Sequence, residues 1–215
     1  MMILQILLEF LFPPKCVLCG SLLENGEQDL CRTCRMEAPV YANRKKHIQF
    51  LDSFAAVWYY EKSVRKSLLR YKFYGARSYA QSYGRLLAMR LLNEPVEFDV
   101  LTWVPVSRWR KFRRGYDQVE LLAKAVGAEL GVAPVPLLKK IHHNRPQSGI
   151  SDPAKRKANV LGVYQLVDPA QVRDKRVLLL DDILTTGATA CECGRVLKTA
   201  GAKEVHCAAV AAARK

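Results

Sequence analysis

The chain has 215 residues, half of them hydrophobic, and a formal net charge of +14. That length holds one α/β domain of ordinary size with a small appendage, and that apolar content excludes wholesale disorder. The charge implies attraction to anions, with polyphosphates, nucleic acids and acidic membranes all compatible.

The first twelve residues, MMILQILLEFLF, are nearly all apolar but too few to span a bilayer, which needs about 20. They lack the basic n-region and small-residue cleavage site of a secretory signal. The expectation is a short helix ended by Pro13-Pro14 and packed on the protein body, with no stable membrane insertion and a cytoplasmic location. Shallow membrane contact is the rival reading. Next come two C-x2-C pairs, Cys16 with Cys19 and Cys31 with Cys34, eleven residues apart. Four thiolates at this spacing suit one tetrahedral metal, usually zinc, and four cysteines leave no open position for catalysis, so the zinc is structural. Disulfides are disfavoured by the odd total of seven cysteines and by a reducing cytosol; iron–sulfur spacings differ. Cys191, Cys193 and Cys207 sit in apolar settings and read as small core residues. The knuckle ends near Val40, and Arg44-Lys45-Lys46-His47 reads as a linker. The division is therefore a helix and four-cysteine zinc knuckle over 1–45 and a second domain over 50–215.

Phe54 to Tyr60 reads as a strand from its aromatic and β-branched content. Ser63 is placed to cap a helix carrying Val64, Leu68 and Leu69 toward Tyr71. A second helix, Tyr79 to Leu92, has Tyr83, Leu86, Leu87 and Leu91 at helical spacing. Val100 to Val106 reads as a buried strand. Asp117 begins an amphipathic helix with Val119, Leu122, Val126 and Leu130 on one stripe, stopped by Gly131. A short strand is expected around Val135. From Lys139 to Asn159 the chain is polar and basic, a length that inside a compact domain is functional or mobile. Strands over Val163–Leu166, Arg176–Leu180 and Val205–Val210 complete an alternation that predicts a mainly parallel α/β sheet flanked by helices.

The run Val177 to Thr189, VLLLDDILTTGAT, carries the most chemistry. A doubly buried strand leads to Asp181 and Asp182 at its expected end, then to Thr185-Thr186-Gly187-Ala188-Thr189 and a helix from Ala188 to Ala200. A loop feeding a helix N-terminus offers free N–H groups and a positive dipole end to a phosphate, while the carboxylates accept from sugar hydroxyls. The bland alternative is an ordinary strand–turn–helix with the acids capping the helix. Arg108, Arg110, Lys111, Arg113 and Arg114 follow the Val100–Val106 strand. In an open parallel sheet both segments lie at the carboxyl edge, where ligands bind. Together they suit a ligand with phosphates at both ends; the arginine run reads equally as a solvated face or a nucleic-acid patch.

The chain resembles the ComF family of competence-protein and GntX-like phosphoribosyltransferases nearly end to end. The resemblance rests on F-P-P-x-C-x-x-C, Cys31-x-x-Cys34, Tyr71-Lys72-Phe73-Tyr74-Gly75, Val104 to Ala123, Arg145-Pro-Gln147, Arg156-Lys-Ala-Asn159 and VLLLDDILTTGAT. Asp117 departs from it, since relatives often carry Asn there. The resemblance implies a type I phosphoribosyltransferase fold with a zinc knuckle in front. Asp181 and Asp182 would meet the ribose hydroxyls of phosphoribosyl pyrophosphate (PRPP), directly or with the help of Mg²⁺, and Thr185, Thr186, Gly187, Ala188 and Thr189 its 5′-phosphate. The Arg108–Arg114 segment would be the pyrophosphate loop, with Ser107 and Arg108 as contacts and Arg113 and Arg114 joining the two aspartates as the catalytic set. Arg145, Gln147, Arg156 and Asn159 would belong to a flexible loop that closes over the site. It also implies a place in DNA uptake or use of incoming DNA, with partners such as a DNA-translocating helicase. Two alternatives accompany it: a PRPP sensor without turnover, and a single-stranded-DNA-binding component whose aromatics, Trp109 and Phe112 with Tyr71 to Tyr74, stack on bases. The acceptor is not legible.

Overall fold

A computed structural model describes residues 13–42, 47–141 and 159–214. The centre is a four-stranded, all-parallel sheet in the order β1-β6-β5-β2, formed by β1 (Ser53–Tyr59), β6 (Glu204–Ala212), β5 (Arg176–Leu184) and β2 (Val100–Trp103). β5 and β6 are the inner strands because they are almost continuously apolar: Val177 to Leu180 and Val205 to Ala212 are buried, apart from slight exposure at His206 (8%). Such runs can only lie between two covered faces.

On one face pack the helices α2 (Lys62–Phe73), α3 (Tyr79–Asn93) and α5 (Gln118–Leu130), through Leu68, Tyr71, Tyr83, Leu87, Leu122 and Val126. α3 and α5 approach so closely that a Cβ on Gly84 would lie 2.5 Å from that of Ala125. The other face is covered by α6 (Ala188–Thr199) and by a two-stranded antiparallel hairpin, β3 (Leu138–Lys140) with β4 (Tyr164–Leu166). The cysteine knuckle, with its short helix α1 (Arg32–Glu37), extends the first face: Cys16, Val17, Leu18 and Leu30 share one core with Leu68, Tyr71 and Tyr83. Its backbone is bonded directly to α2. The Ser67 hydroxyl donates to the Val17 carbonyl, and the Arg70 guanidinium to that of Leu18 at 2.5 Å. Arg85 on α3 donates both its Nε and Nη2 to Asp29. We call the two sides the ribbon face and the hairpin face.

Several expected boundaries move. The Val100 strand ends at Trp103, since Pro105 has no N–H for the ladder, although Val104 still donates to Leu180 at 2.9 Å. The first long helix begins at Lys62 with Glu61 as its N-cap and no side-chain cap bond, so Ser63 is not the cap. The short strand expected at Val135 lies three residues later, beyond Pro134 and Pro136. The strand expected to end at Leu180 runs to Leu184, which puts both aspartates inside it. The arginine segment, expected as a loop, is a helix, α4 (Arg108–Arg114), capped by the Ser107 hydroxyl and closed by Gly115 at φ +75°. The apolar N-terminal twelve residues, Arg44 to Lys46, and Arg145, Gln147 and Arg156 lie outside the described residues; Asn159 is half-buried in a turn. Among the described residues no helix is long and apolar enough to cross a membrane.

Candidate phosphosugar site and metal centre

The metal centre is the simpler of the two. The Sγ atoms of Cys16, Cys19, Cys31 and Cys34 all lie within 4.8 Å of one another, and Cys19 and Cys31 are 3.7 Å apart. A tetrahedron with Zn–S bonds of about 2.3 Å has edges of ~3.8 Å, so the four thiols fit a structural zinc. All seven cysteines are free thiols; Cys193 and Cys207 are buried in the core as expected, and Cys191 is half-buried.

The second site lies at the carboxyl edge of β5. After Leu184 the chain turns through Thr185 and Thr186 to Gly187, the N-cap of α6, at φ +81°. This left-handed conformation favours glycine, and a Cβ there would lie 2.9 Å from Ile48 Cδ1. The Thr186 hydroxyl accepts from the Ala188 N–H at 3.3 Å, and neither aspartate caps the helix. Thr185, Thr186 and Thr189 are half-buried around the first turn, whose N–H groups form the positive dipole end of α6.

Because adjacent strand residues point to opposite faces, the two aspartates part company. Asp182 follows Leu178 and Leu180 onto the ribbon face, where its Oδ1 lies 2.8 Å from Lys72 Nζ and its Oδ2 accepts from Gln118 Nε2 at 3.1 Å. Both partners are held firmly. The Tyr71 hydroxyl donates to the Gln118 carbonyl at 2.5 Å, and that of Tyr116 to the Tyr71 carbonyl. The Gln118 side chain also accepts from Arg114 Nη1 at 2.8 Å, so a chain of polar contacts runs Arg114–Gln118–Asp182–Lys72.

Asp181 follows Val177 and Leu179 onto the hairpin face. Its Oδ1 accepts the Asp182 backbone N–H at 2.8 Å. Burial, and then the neighbouring Asp182 charge, push its carboxyl up to about 8 against the opposing pull of Lys72. On the same face Lys140, at the end of β3, is brought down to about 8 by burial and by the Arg110 charge. Its Nζ lies 5.3 Å from the Tyr164 ring centroid. Arg110 is itself lowered by burial and by Arg114. Lys140 and Arg110 thus bring positive charge toward the face that carries Asp181.

Ser107 is buried, whereas Arg108 and Arg113 stand exposed and Arg114 half-buried. The structure thus draws Arg114 toward Asp182 through Gln118 and leaves Arg113 stacked over Trp109, 5.4 Å from its centroid. Asp117 is explained by local structure: its Oδ1 caps α5 through Val119 and Glu120, and its Oδ2 accepts from the Val106 N–H. Of the aromatics considered for stacking, Tyr71 is fully buried and bonded to the Gln118 carbonyl, so it presents no face to solvent. Phe112, Tyr74, Phe73 and Trp109 are the exposed ones, with Arg114 over Phe73 at 4.9 Å. Sequence reading missed Lys72, Gln118 and Lys140; the only signal was the place of Lys72 in the Tyr71–Gly75 motif and of Gln118 just after a cap.

Comparison with known proteins bears on both sites. The family model of the double zinc ribbon domain matches residues 7–45, and that of the phosphoribosyl transferase domain residues 120–215. Competence protein F of Haemophilus influenzae is 27% identical over 200 residues, spanning 90% of this chain and 82% of that protein. Competence protein ComFC of Streptococcus pneumoniae is 30% identical over 155 residues, spanning 71% of this chain and 65% of that one. A glutamine PRPP amidotransferase structure from Bacillus subtilis aligns with 66% of this chain and 30% of its own, at 24% identity and a TM-score of 0.46. Ribbon, transferase domain and relatives along most of the sequence agree with the motif resemblance, and the chain belongs to the ComF family.

Proposed function

We propose that the carboxyl edge of the sheet binds PRPP together with Mg²⁺ and that the protein is a phosphoribosyltransferase acting in competence or in the use of incoming DNA. One observation carries this reading: two carboxyls stand in the last half of an inner strand, two residues short of its end, before a glycine-turned helix N-terminus and within the span matched by the transferase family. The N–H groups of the α6 first turn and the hydroxyls of Thr185, Thr186 and Thr189 would hold the 5′-phosphate. Asp182, steadied by Lys72 and Gln118, accepts from a ribose hydroxyl with its remaining lone pairs. Asp181 meets the ribose from the hairpin face, and positive charge developing on the ring favours loss of its proton. Ser107, Arg108, Arg113 and Arg114, joined by Arg110 and Lys140, receive the pyrophosphate. Mg²⁺, when bound, adds charge stabilisation of the leaving group. β3 and β4 flank the segment that the resemblance makes a closing loop, which would keep water from the ribosyl cation.

The test follows pyrophosphate release from PRPP and Mg²⁺ across a panel of acceptors. Asp181→Asn with Asp182→Asn is expected to lower turnover by about 100-fold or more with the fold retained by circular dichroism. Full activity in that double variant overturns the reading. Binding of PRPP without release for any acceptor makes the protein a sensor.

A second reading is favoured by one feature of α4 and its surroundings. Phe112 is 89% exposed and Tyr74 78%, among Arg77, Arg108, Arg113 and Arg114. Rings and guanidinium groups mixed in this way suit single-stranded DNA. Titration with an oligonucleotide at two salt concentrations tests it, since phosphate contacts weaken steeply with salt. Binding indifferent to salt counts against it. Competence proteins such as a translocating helicase are partners under either reading, in the cytoplasm.

A further inference from the structure

The Lys72 ammonium is unusual for a lysine near a helix end. Its side chain is 19% exposed, and it reaches inward rather than out, to a carboxylate that is itself 4% exposed. The helix that carries it cannot shift easily. Ser67 and Arg70, within five residues of it, are bonded to the ribbon carbonyls of Val17 and Leu18, and Tyr71 is pinned between Gln118 and Tyr116. The second oxygen of Asp182 is bonded to Gln118. Asp181 faces the opposite side of the sheet, so the two carboxyls do not converge on a common point as metal ligands do. Among the described residues, the only group of three or more metal-binding side chains close enough to share an ion is the four cysteines.

We propose that Lys72 is a positioning residue that serves as the resident counter-cation of Asp182, keeping divalent cations off that carboxylate in the free protein so that metal enters only with a phosphorylated ligand. The proposal rests on the ribose-binding reading above for its ligand, but the part concerning the metal stands apart from it. A tethered ammonium at 2.8 Å supplies one positive charge from within the chain and needs no ion from solution. A hydrated divalent ion would have to displace it, lose water and gain only one usable carboxylate. The ribose hydroxyls face no such conflict, because they bind as neutral donors to lone pairs that Lys72 and Gln118 leave open.

Mn²⁺ serves as the probe, followed by electron paramagnetic resonance on the zinc-loaded protein, with PRPP affinity measured by calorimetry. Wild type is expected to take up no Mn²⁺ without PRPP and one equivalent with it. Lys72→Gln is expected to take up Mn²⁺ without PRPP, to lose about tenfold in PRPP affinity, the size of one charge-assisted hydrogen bond, and to depend more steeply on Mg²⁺. Lys72→Arg, which keeps the charge, is expected to behave as wild type and controls for loss of fold. Mn²⁺ uptake by PRPP-free wild type that disappears in Asp182→Asn overturns the proposal. So does a folded Lys72→Gln variant indistinguishable from wild type in both metal uptake and PRPP affinity. If wild type fails to bind PRPP at all, the ribose reading falls, and Mn²⁺ uptake by Lys72→Gln still decides the role of Lys72.

Discussion

The two faces of β5 treat neighbouring acids in opposite ways. On the ribbon face Asp182 has a cation within bonding distance, an amide on its other oxygen, and tyrosines packed behind both. On the hairpin face no cation among the described residues is bonded to Asp181, and burial dominates its carboxyl. The first face balances its acid with a cation from within the chain, and the second leaves its acid to burial. A pair of identical residues therefore does not make a pair of identical functions: environment assigns the roles.

The strongest way to break this contrast is to remove what fixes the ribbon face. Stripping zinc, or Cys16→Ser with Cys34→Ser, is expected to lower Tm by roughly 10 °C or more in calorimetry, since a structural metal contributes folding energy directly. It should weaken PRPP binding as well, because α2 loses the carbonyls that brace Ser67 and Arg70. An unchanged Tm would detach the ribbon from the core.

Next come the acids themselves, whose single substitutions are expected to differ in sign. Asp182→Asn strands a mostly buried ammonium and costs about 2–3 kcal/mol in denaturant unfolding. Asp181→Asn raises stability at pH 7 by about 1 kcal/mol. The reason is linkage: the Asp181 carboxyl is raised to about 8 in the folded protein, so between about pH 4 and 8 the folded state binds more protons than the unfolded one. Its contribution is fully present below pH 4 and is lost as pH rises through that window. Removing Asp181 should remove that slope, and the gain seen at pH 7 should vanish near pH 4. Equal effects of the two substitutions at every pH would erase the distinction between the faces.

A smaller effect sharpens the phosphate end. Gly187→Ala forces a side chain into a left-handed conformation and against Ile48, at about 1–2 kcal/mol. PRPP affinity should fall with it. The smallest is a control on the arginine helix. Lys111→Ala removes an exposed pair with Glu120 and is expected to change stability by less than about 0.5 kcal/mol in the same denaturant assay.

What can be read from the sequence follows what is local. The cysteine spacing, the inner strands and the α5 stripe each depend on residues close in the chain, and the helix and strand periods report them directly. Longer reach is lost. Pattern alone ends the strand at Leu180 because acids seldom continue a buried run; Asp181 and Asp182 continue β5 only because Lys72, 110 positions earlier, and Gln118, 64 positions earlier, stand ready for one of them. In the arginine segment charge masks the helical start, although Ser107 and Gly115 bracket it as cap and stop. No pattern within either segment announces the partner that gives it meaning.

Gln118 joins two parts of the site through one side chain. Its side-chain oxygen accepts from Arg114 and its amide nitrogen donates to Asp182, so one planar group touches both of the ends to which the proposed function gives the leaving group and the sugar. A pyrophosphate that draws Arg114 away takes a donor from the amide oxygen and weakens the polarisation of the opposite N–H. The two halves of a ligand would then be registered by a single side chain.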